Sequence, residues 1–574
     1  MKFLLKYLKP FFGIMTVGVI IKTIGTVVEL FIPLILTHIL DNVVVTQKIS
    51  EIIFWGGMML LCAGAACVFN IWANRMAAKV SRRFSERVRN DLFSRTMRLS
   101  SAQVDTFTVP SLESRITTDT YNVHNFVGMM QRMGIRAPIM LVGGVSITLF
   151  MDPLLSIAMI ATLPFIFITV YFISRKGVPL YTRVQKATDK MTRVVREDTQ
   201  GIRVIKALSK VEYEHRRYEQ VNRELSESEQ RAGFVMSGVH PVMTLFMNTG
   251  LVLVVALAAN LVSGNRSTPS TVIAFMQYFT QISMAMMSVT RIFTMYTKCS
   301  ASAKRISEVI NAPEDITLKS EADFPRSESG AHIEFKNVSF SYKGKQNDLE
   351  NISFSLSRGE SLGIIGATGS GKSTLIRLLM RLYDVGDGAV YICGRDVRTI
   401  PAEELYPMFG AAFQHDFLYA ETIEENIDLG RHLSHEQIEC AAKLAQAHDF
   451  ISAFPDGYAH QLSQKGTNIS GGQKQRLLIS RAIAARPDIL VLDDSSSALD
   501  YKTDANLRAA LRENMSGTTL VTVAQRVSSV KDCTLILVLD EGKIIGKGTH
   551  EELLSSCPEY REISESQMGG AFVE

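Results

Sequence analysis

The chain has 574 residues, 47% of them hydrophobic, and a mean hydropathy of +0.12. That length holds two or more domains, and the apolar content exceeds what a soluble protein of mixed class needs. A net charge of only +4 makes no electrostatic case for nucleic acid, and the seven cysteines, which lack metal-ligand spacing, read as free or buried thiols in a reducing compartment.

The apolar residues crowd into the first 310 positions. Six segments stand out, near 11–40, 52–73, 126–150, 154–174, 234–263 and 270–293. About 20 apolar residues cross a bilayer as a helix, and six such runs in series predict an integral membrane bundle in the lipid bilayer. The start, Met1-Lys2-Phe3, runs straight into apolar sequence without a small-residue cleavage site, so it reads as an anchor and not as a removed signal. Positive charge sets the orientation. Lys2, Lys6 and Lys9 precede the first segment, and Arg75 to Arg98 and Arg175 to Arg196 fill the two long connections. The alternate loops, at 41–51, 151–153 and 263–270, carry almost none. Both termini and the long connections are therefore expected on the cytoplasmic side.

Those connections have helical periodicity themselves. Between 73 and 99 there is no Pro or Gly, and Val80, Phe84, Val88 and Leu92 recur on one face. At 1.5 Å per residue the helix extends on the order of 35–40 Å beyond the membrane. The same pattern holds over 183–225, with turns expected near 101–111 and 201–210, and these tips are expected to touch the soluble domain. Inside the first span, Lys22 and Glu29 are seven residues apart and share a helical face; they either pair with each other or line a solute cavity. Met129, Met130, Met133 and Met140, with Met284, Met286, Met287 and Met295, form either an adaptable wall for apolar ligands or ordinary packing. Pro33, Pro138, Pro164 and Pro241 sit where they can kink spans. A polar stretch with two prolines, 311–330, reads as a linker between a 1–310 membrane domain and a 331–574 domain of another kind.

From 331 short β-rich runs alternate with helices: 332–335, 361–365, 489–492, 519–523 and 535–539, the pattern of an α/β domain with a largely parallel sheet. After the run Leu362 to Ile365 come Gly366, Ala367, Thr368, Gly369, Ser370, Gly371, Lys372, Ser373 and Thr374, and then an apolar helix start. This strand–glycine loop–helix with GxxxxGK[ST] spacing aims backbone N–H groups and a helix N-terminus at one anion. Lys372 is placed for the terminal phosphates of ATP and Ser373 for Mg2+. Tyr342 precedes the loop, as an adenine platform or as packing. Ser470, Gly471, Gly472 and Gln473 open a second glycine-rich helix start. A buried strand ends at Asp493, placed to hold Mg2+ through water; Asp494 follows, and a later strand leads to Gln525.

In this order the motifs resemble the nucleotide-binding domain of ABC transporters over 331–560. The Ser470–Gln473 turn is that family's signature, and six preceding spans with long extensions resemble exporter-type half-transporters. The resemblance implies two chains that sandwich each ATP between one chain's 366–374 loop and the other's signature turn, with Gln414 added to the nucleotide and Mg2+ ligands. Two departures stand out. The family's catalytic Glu is Asp494 here, one methylene shorter, and its switch His is Gln525, which cannot become cationic. Lys372, Ser373, Asp493 and the signature remain intact. This pattern resembles the degenerate half of heterodimeric bacterial exporters, often of multidrug type, located in the cell membrane. The expectation is an ATP-driven exporter of a small apolar or amphipathic solute, partnered by a homologous half-transporter, whose turnover occurs mainly at the site this chain's signature completes. An ATP-gated channel or regulator, or an importer of a chelate or cofactor, fits the same architecture; flux against a gradient separates a pump from a gate.

Overall fold

The computed structural model describes residues 2–263, 268–342, 344, 346–414, 416–495 and 497–568. Two units emerge, one of 1–98 with 107–312 and one of 99–106 with 313–574.

The first unit is all helix. The lack of Pro and Gly in the second connection is realised as one helix, Ile49–Thr96, in which Val80, Phe84, Val88 and Leu92 are almost wholly buried. Thr120–Met151, Pro153–Ala207, Val211–Ser237, Val239–Ser263 and Pro269–Ile310 complete the long elements. The helices run on through Pro33, Pro138 and Pro164, while Pro241 falls in the first turn of its helix, where a missing N–H costs little. Among the described residues four helices are long and apolar enough to cross a membrane: Phe3–Thr46, Ile49–Thr96, Val109–Met151 and Pro269–Ile310. The fourth and fifth expected spans supply shorter apolar runs, Pro153–Thr162 and Thr244–Ala259. Arg266, in the last sparsely charged loop, lies outside the described residues.

Two expectations for this unit change. Lys22 does not meet Glu29: its ammonium donates to Asn70 Oδ1 at 2.8 Å and Asn74 Oδ1 at 3.3 Å, while Glu29 accepts from Arg136 at 2.6 Å. Nor do the methionines form a single wall, because Met129 and Met140 are core residues while Met130, Met284 and Met287 are exposed. Below the apolar region, buried Asp119 accepts from Ser302 Oγ at 2.8 Å and from Arg305 Nε at 2.7 Å. Asp119→Ala strands the arginine and the hydroxyl. It is expected to cost on the order of 2–3 kcal/mol, less than for a pair buried on both sides because Arg305 is about half exposed. A lowered thermal unfolding midpoint of the purified protein checks this.

The second unit holds two sheets. Strands β1 (Ile333–Phe340), β2 (Leu349–Leu356), β3 (Ser361–Gly366), β4 (Asp387–Ile392) and β5 (Arg395–Asp396) come first, followed by β6 (Phe409–Ala412), β7 (Ile489–Asp493), β8 (Thr519–Val523), β9 (Leu535–Asp540) and β10 (Lys543–Gly548). β2-β1-β4-β5 form an antiparallel sheet; β10-β9-β3-β8-β7-β6 form the second, parallel except for the edge strand β10. β7 is buried at all five positions, as a parallel strand covered on both faces must be. The helix Ser101–Phe107 begins within this unit, where Tyr383 Oη donates to Asp105 Oδ2 at 2.6 Å and Gln103 Nε2 donates to Pro313 O at 2.6 Å.

Candidate functional site

Hydrogen bonding to β8 and β9 on its two sides fixes β3 at the centre of the parallel sheet, so the loop that follows emerges at the carboxyl edge. Gly371 caps the helix Lys372–Leu379 with φ of 101°, and a Cβ there would lie 2.6 Å from the Leu349 side chain. At Gly366 a Cβ would meet Leu539 O at 2.1 Å. Lys372 folds over the loop and donates to Gly366 O at 2.9 Å and Ala367 O at 2.7 Å. Burial pulls its ammonium below the usual lysine range, and the carboxylates of Asp494 and Asp493 pull the other way. Ser370 Oγ is buried with no hydrogen-bond partner among the described residues. Ser373 Oγ stands 3.4 Å from Asp493 Oδ1.

Register explains the rest of the site. Ala412, Leu492 and Thr522 lie side by side across β6, β7 and β8, so Gln414, Asp494 and Gln525 leave the sheet together. The Nε2 atoms of Gln414 and Gln525 both donate to Asp494 Oδ2, each at 2.9 Å. Asp494 takes a left-handed φ of 52°, which Asp tolerates better than most residues, and its N–H bonds to Val523 O at 2.9 Å. Burial raises both carboxyl groups above the usual range, opposed at Asp493 by Ser373 and at Asp494 by the two amides.

A cavity of about 730 Å³ opens over these groups, lined by Thr368, Gly369, Gly371, Lys372, Ser373, Thr374, Gln414, Asp493, Asp494 and Gln525. Neither Tyr342 nor the Ser470–Gln473 turn is among its described lining residues. Tyr342 packs edge-on against Phe340 and Tyr383, with its hydroxyl 3.3 Å from Thr374 Oγ1 and accepting from Arg377 at 3.1 Å. Ser470 caps the helix Gly471–Ala484 in a reciprocal capping box with Gln473. Sequence reading missed Asp348, Glu350, Glu541 and Lys543, which also line the cavity. The Glu541-Gly542 turn between β9 and β10 is legible as a hairpin. Contacts distant in sequence place it beside the loop, among them Gly542 N with Ser370 O at 3.2 Å and Glu350 N with Gly542 O at 2.8 Å.

A glycine-rich anion loop at the carboxyl edge of a parallel sheet, carried by a chain with membrane-length apolar helices, defines a membrane-bound P-loop ATPase. Residues 15–286 match the ABC transporter transmembrane region and 349–497 the ABC transporter family. The chain is 35% identical to a Bacillus subtilis protein, uncharacterized ABC transporter ATP-binding protein YfiB, over 98% of each chain. It is 31% identical to another from that organism, YknU, over 98% of this chain and 96% of the relative. A bacterial Atm1-family ABC exporter with ATP bound shares the fold at a TM-score of 0.80, with 22% identity over 96% of this chain and 98% of that one. The chain belongs to the ABC transporter family, with an exporter-type fold and an ATPase domain of the kind that binds ATP and couples its hydrolysis to transport.

Proposed function

We propose that this chain is one half of a heterodimeric exporter, holding ATP at its own loop but hydrolysing it poorly there. The observation that carries the reading is the short carboxylate of Asp494, tethered through one oxygen by two glutamine amides beside an intact Lys372 loop. A general base has to reach its proton, and a misplacement near 1 Å costs about a hundredfold. Lys372 and the 366–374 backbone would hold the phosphates, and Tyr342 the adenine. The unpaired Ser370 hydroxyl and the adjacent Ser373 and Asp493 oxygens suit a phosphate with Mg2+, a hard cation that prefers oxygen ligands. Mg2+ would be held by Ser373, Asp493 and Gln414 and would neutralise phosphate charge. Ser470, Gly471, Gly472 and Gln473 would complete the companion chain's site, where most turnover occurs. Six spans in 1–310, a 311–330 linker and a 331–574 ATPase domain, with both termini cytoplasmic in a bacterial cell membrane, complete the reading. The solute is small and apolar or amphipathic.

ATPase rates of this chain alone and with its companion test the proposal: low turnover alone and high turnover when paired are expected, and brisk turnover by a self-paired assembly overturns it. A pH dependence accompanies it. Mg2+ would be held by the ionised form of Asp493, so Mg2+-dependent nucleotide affinity is expected above that group's pKa and lost as pH falls through it. Burial has raised that pKa, so the loss on acidification starts above the ordinary Asp value of about 3.9. Nucleotide titrations with and without Mg2+ across the acid range check this.

A further inference from the structure

Across the six apolar segments the sequence holds one acid, Glu29, against four bases, Lys22, Arg132, Arg136 and Arg291. The structure gathers most of that imbalance in one place. Lys22 is buried on neutral partners, Asn70 and Asn74. Glu29 spends one oxygen on Arg136, and its other, Oε2, is buried with no hydrogen-bond partner among the described residues. Arg132 stands one turn before Arg136 on the same helical face, and among the described residues it hydrogen-bonds only its own helix, donating to Gly128 O at 3.1 Å. Arg136, Glu29 and Arg132 all lie within Coulombic range of Lys22. Three cations therefore share one carboxylate. Both arginines are exposed in the protomer, and charge within an apolar span faces protein, a paired group or water rather than hydrocarbon. Arg136 lies about four turns inside the helix end at Met151, well within the bilayer.

Beside the charges lies the opposite chemistry. An apolar groove of about 480 Å³ between the same two helices is lined by Val27, Leu30, Phe31, Pro138, Ile139 and Val142. We propose that the cationic cluster and the adjoining groove form a solute site for amphipathic anions: a carboxylate, sulfonate or phosphate head at Arg132 and Arg136, with an apolar body in the groove. The free Glu29 oxygen accepts from an N–H or O–H of the same molecule. The inference rests on reading the chain as a transporter and narrows its solute class. A soluble anion and an anionic lipid share this chemistry.

Nucleotide-free full-length protein, with its companion chain, in phosphatidylcholine nanodiscs is tested with radiolabelled taurocholate, a hydroxylated amphipathic anion, and with the lipophilic cation tetraphenylphosphonium. Saturable taurocholate binding, at least tenfold tighter than that of the cation, is expected. Arg132→Gln weakens it about tenfold, and Arg136→Lys retains most of what Arg136→Gln loses. Among the described residues Arg132 makes no hydrogen bond or ion pair beyond its own helix, so that variant keeps the test clean should loss of the Glu29 partner disturb folding. Competition by added phosphatidylglycerol points to a lipid, and its absence to a soluble anion; both support the site. Equal affinity for both probes, no saturable taurocholate binding, or binding indifferent to both arginines overturns it. Charge-selective binding without ATP-driven uptake of taurocholate into inverted vesicles would instead remove the exporter reading and leave the site standing.

Discussion

Asp494→Glu combined with Gln525→His raises ATP turnover at this chain's own loop by on the order of tenfold to a hundredfold in the paired complex. The size follows from geometry. The Asp494 carboxylate is held back by its short side chain and by two amide donors on one oxygen. One added methylene moves the carboxylate outward by about 1 Å, the scale on which catalytic geometry changes rate by a hundredfold. Replacing Gln525 removes one of the two donors and supplies an imidazole whose charge can follow that of the phosphate. Both changes act on Asp494 Oδ2, so they are not additive: the double variant exceeds the product of the single gains. The assay uses a complex whose companion loop has been inactivated, so that only this chain's site reports. Unchanged turnover there would mean that some other element limits the site, and the weak-base explanation would be lost.

Local chemistry was legible in the sequence wherever spacing along one chain segment fixed it. The 366–374 loop, the strand ends at Asp493 and Val523 and the Ser470 helix start are each short, and adjacent parallel strands bring their carboxyl ends to one edge without further information. Side chains that choose between elements were not legible. Seven-residue spacing put Lys22 and Glu29 on one face, but spacing on one helix does not say what the next helix offers. Asn70 and Asn74 on Ile49–Thr96 take the lysine, and Arg136 on Thr120–Met151 takes the acid. The edge-on contacts of Tyr342 with Phe340 and Tyr383 likewise depend on partners that its place in the sequence does not name. The methionines divided because apolar composition does not distinguish core from exposed positions. Asp494's left-handed backbone had no sequence signal beyond the tolerance of Asp for that region.

Gly471→Ala is expected to cut turnover of the paired complex by on the order of a hundredfold to a thousandfold while leaving this chain folded and its own nucleotide affinity unchanged. Nothing lies within 4 Å of a Cβ built at Gly471, so the methyl group meets open space in the protomer. As the first residue of Gly471–Ala484, alanine even favours the helix, by up to about 1 kcal/mol over glycine. By stability alone the substitution is neutral or helpful. Its cost arises only if another molecule approaches the turn closely enough for backbone N–H groups to meet phosphate; there the added methyl holds the phosphate off its donors, and a preorganised donor put out of reach costs rate on that scale. Gly472→Ala is the poorer probe, because its Cβ would crowd Ala498 O at 3.2 Å and disturb the chain itself. Three measurements on one variant separate the possibilities: the unfolding midpoint, nucleotide binding at this chain's loop, and steady-state hydrolysis with the companion present. A variant that keeps all three would mean that this turn does not close over the companion's nucleotide, and the division of labour between the two sites would have no structural basis. A variant that loses only hydrolysis would place the working site across the interface, with its loop on one chain and its closing helix on this one.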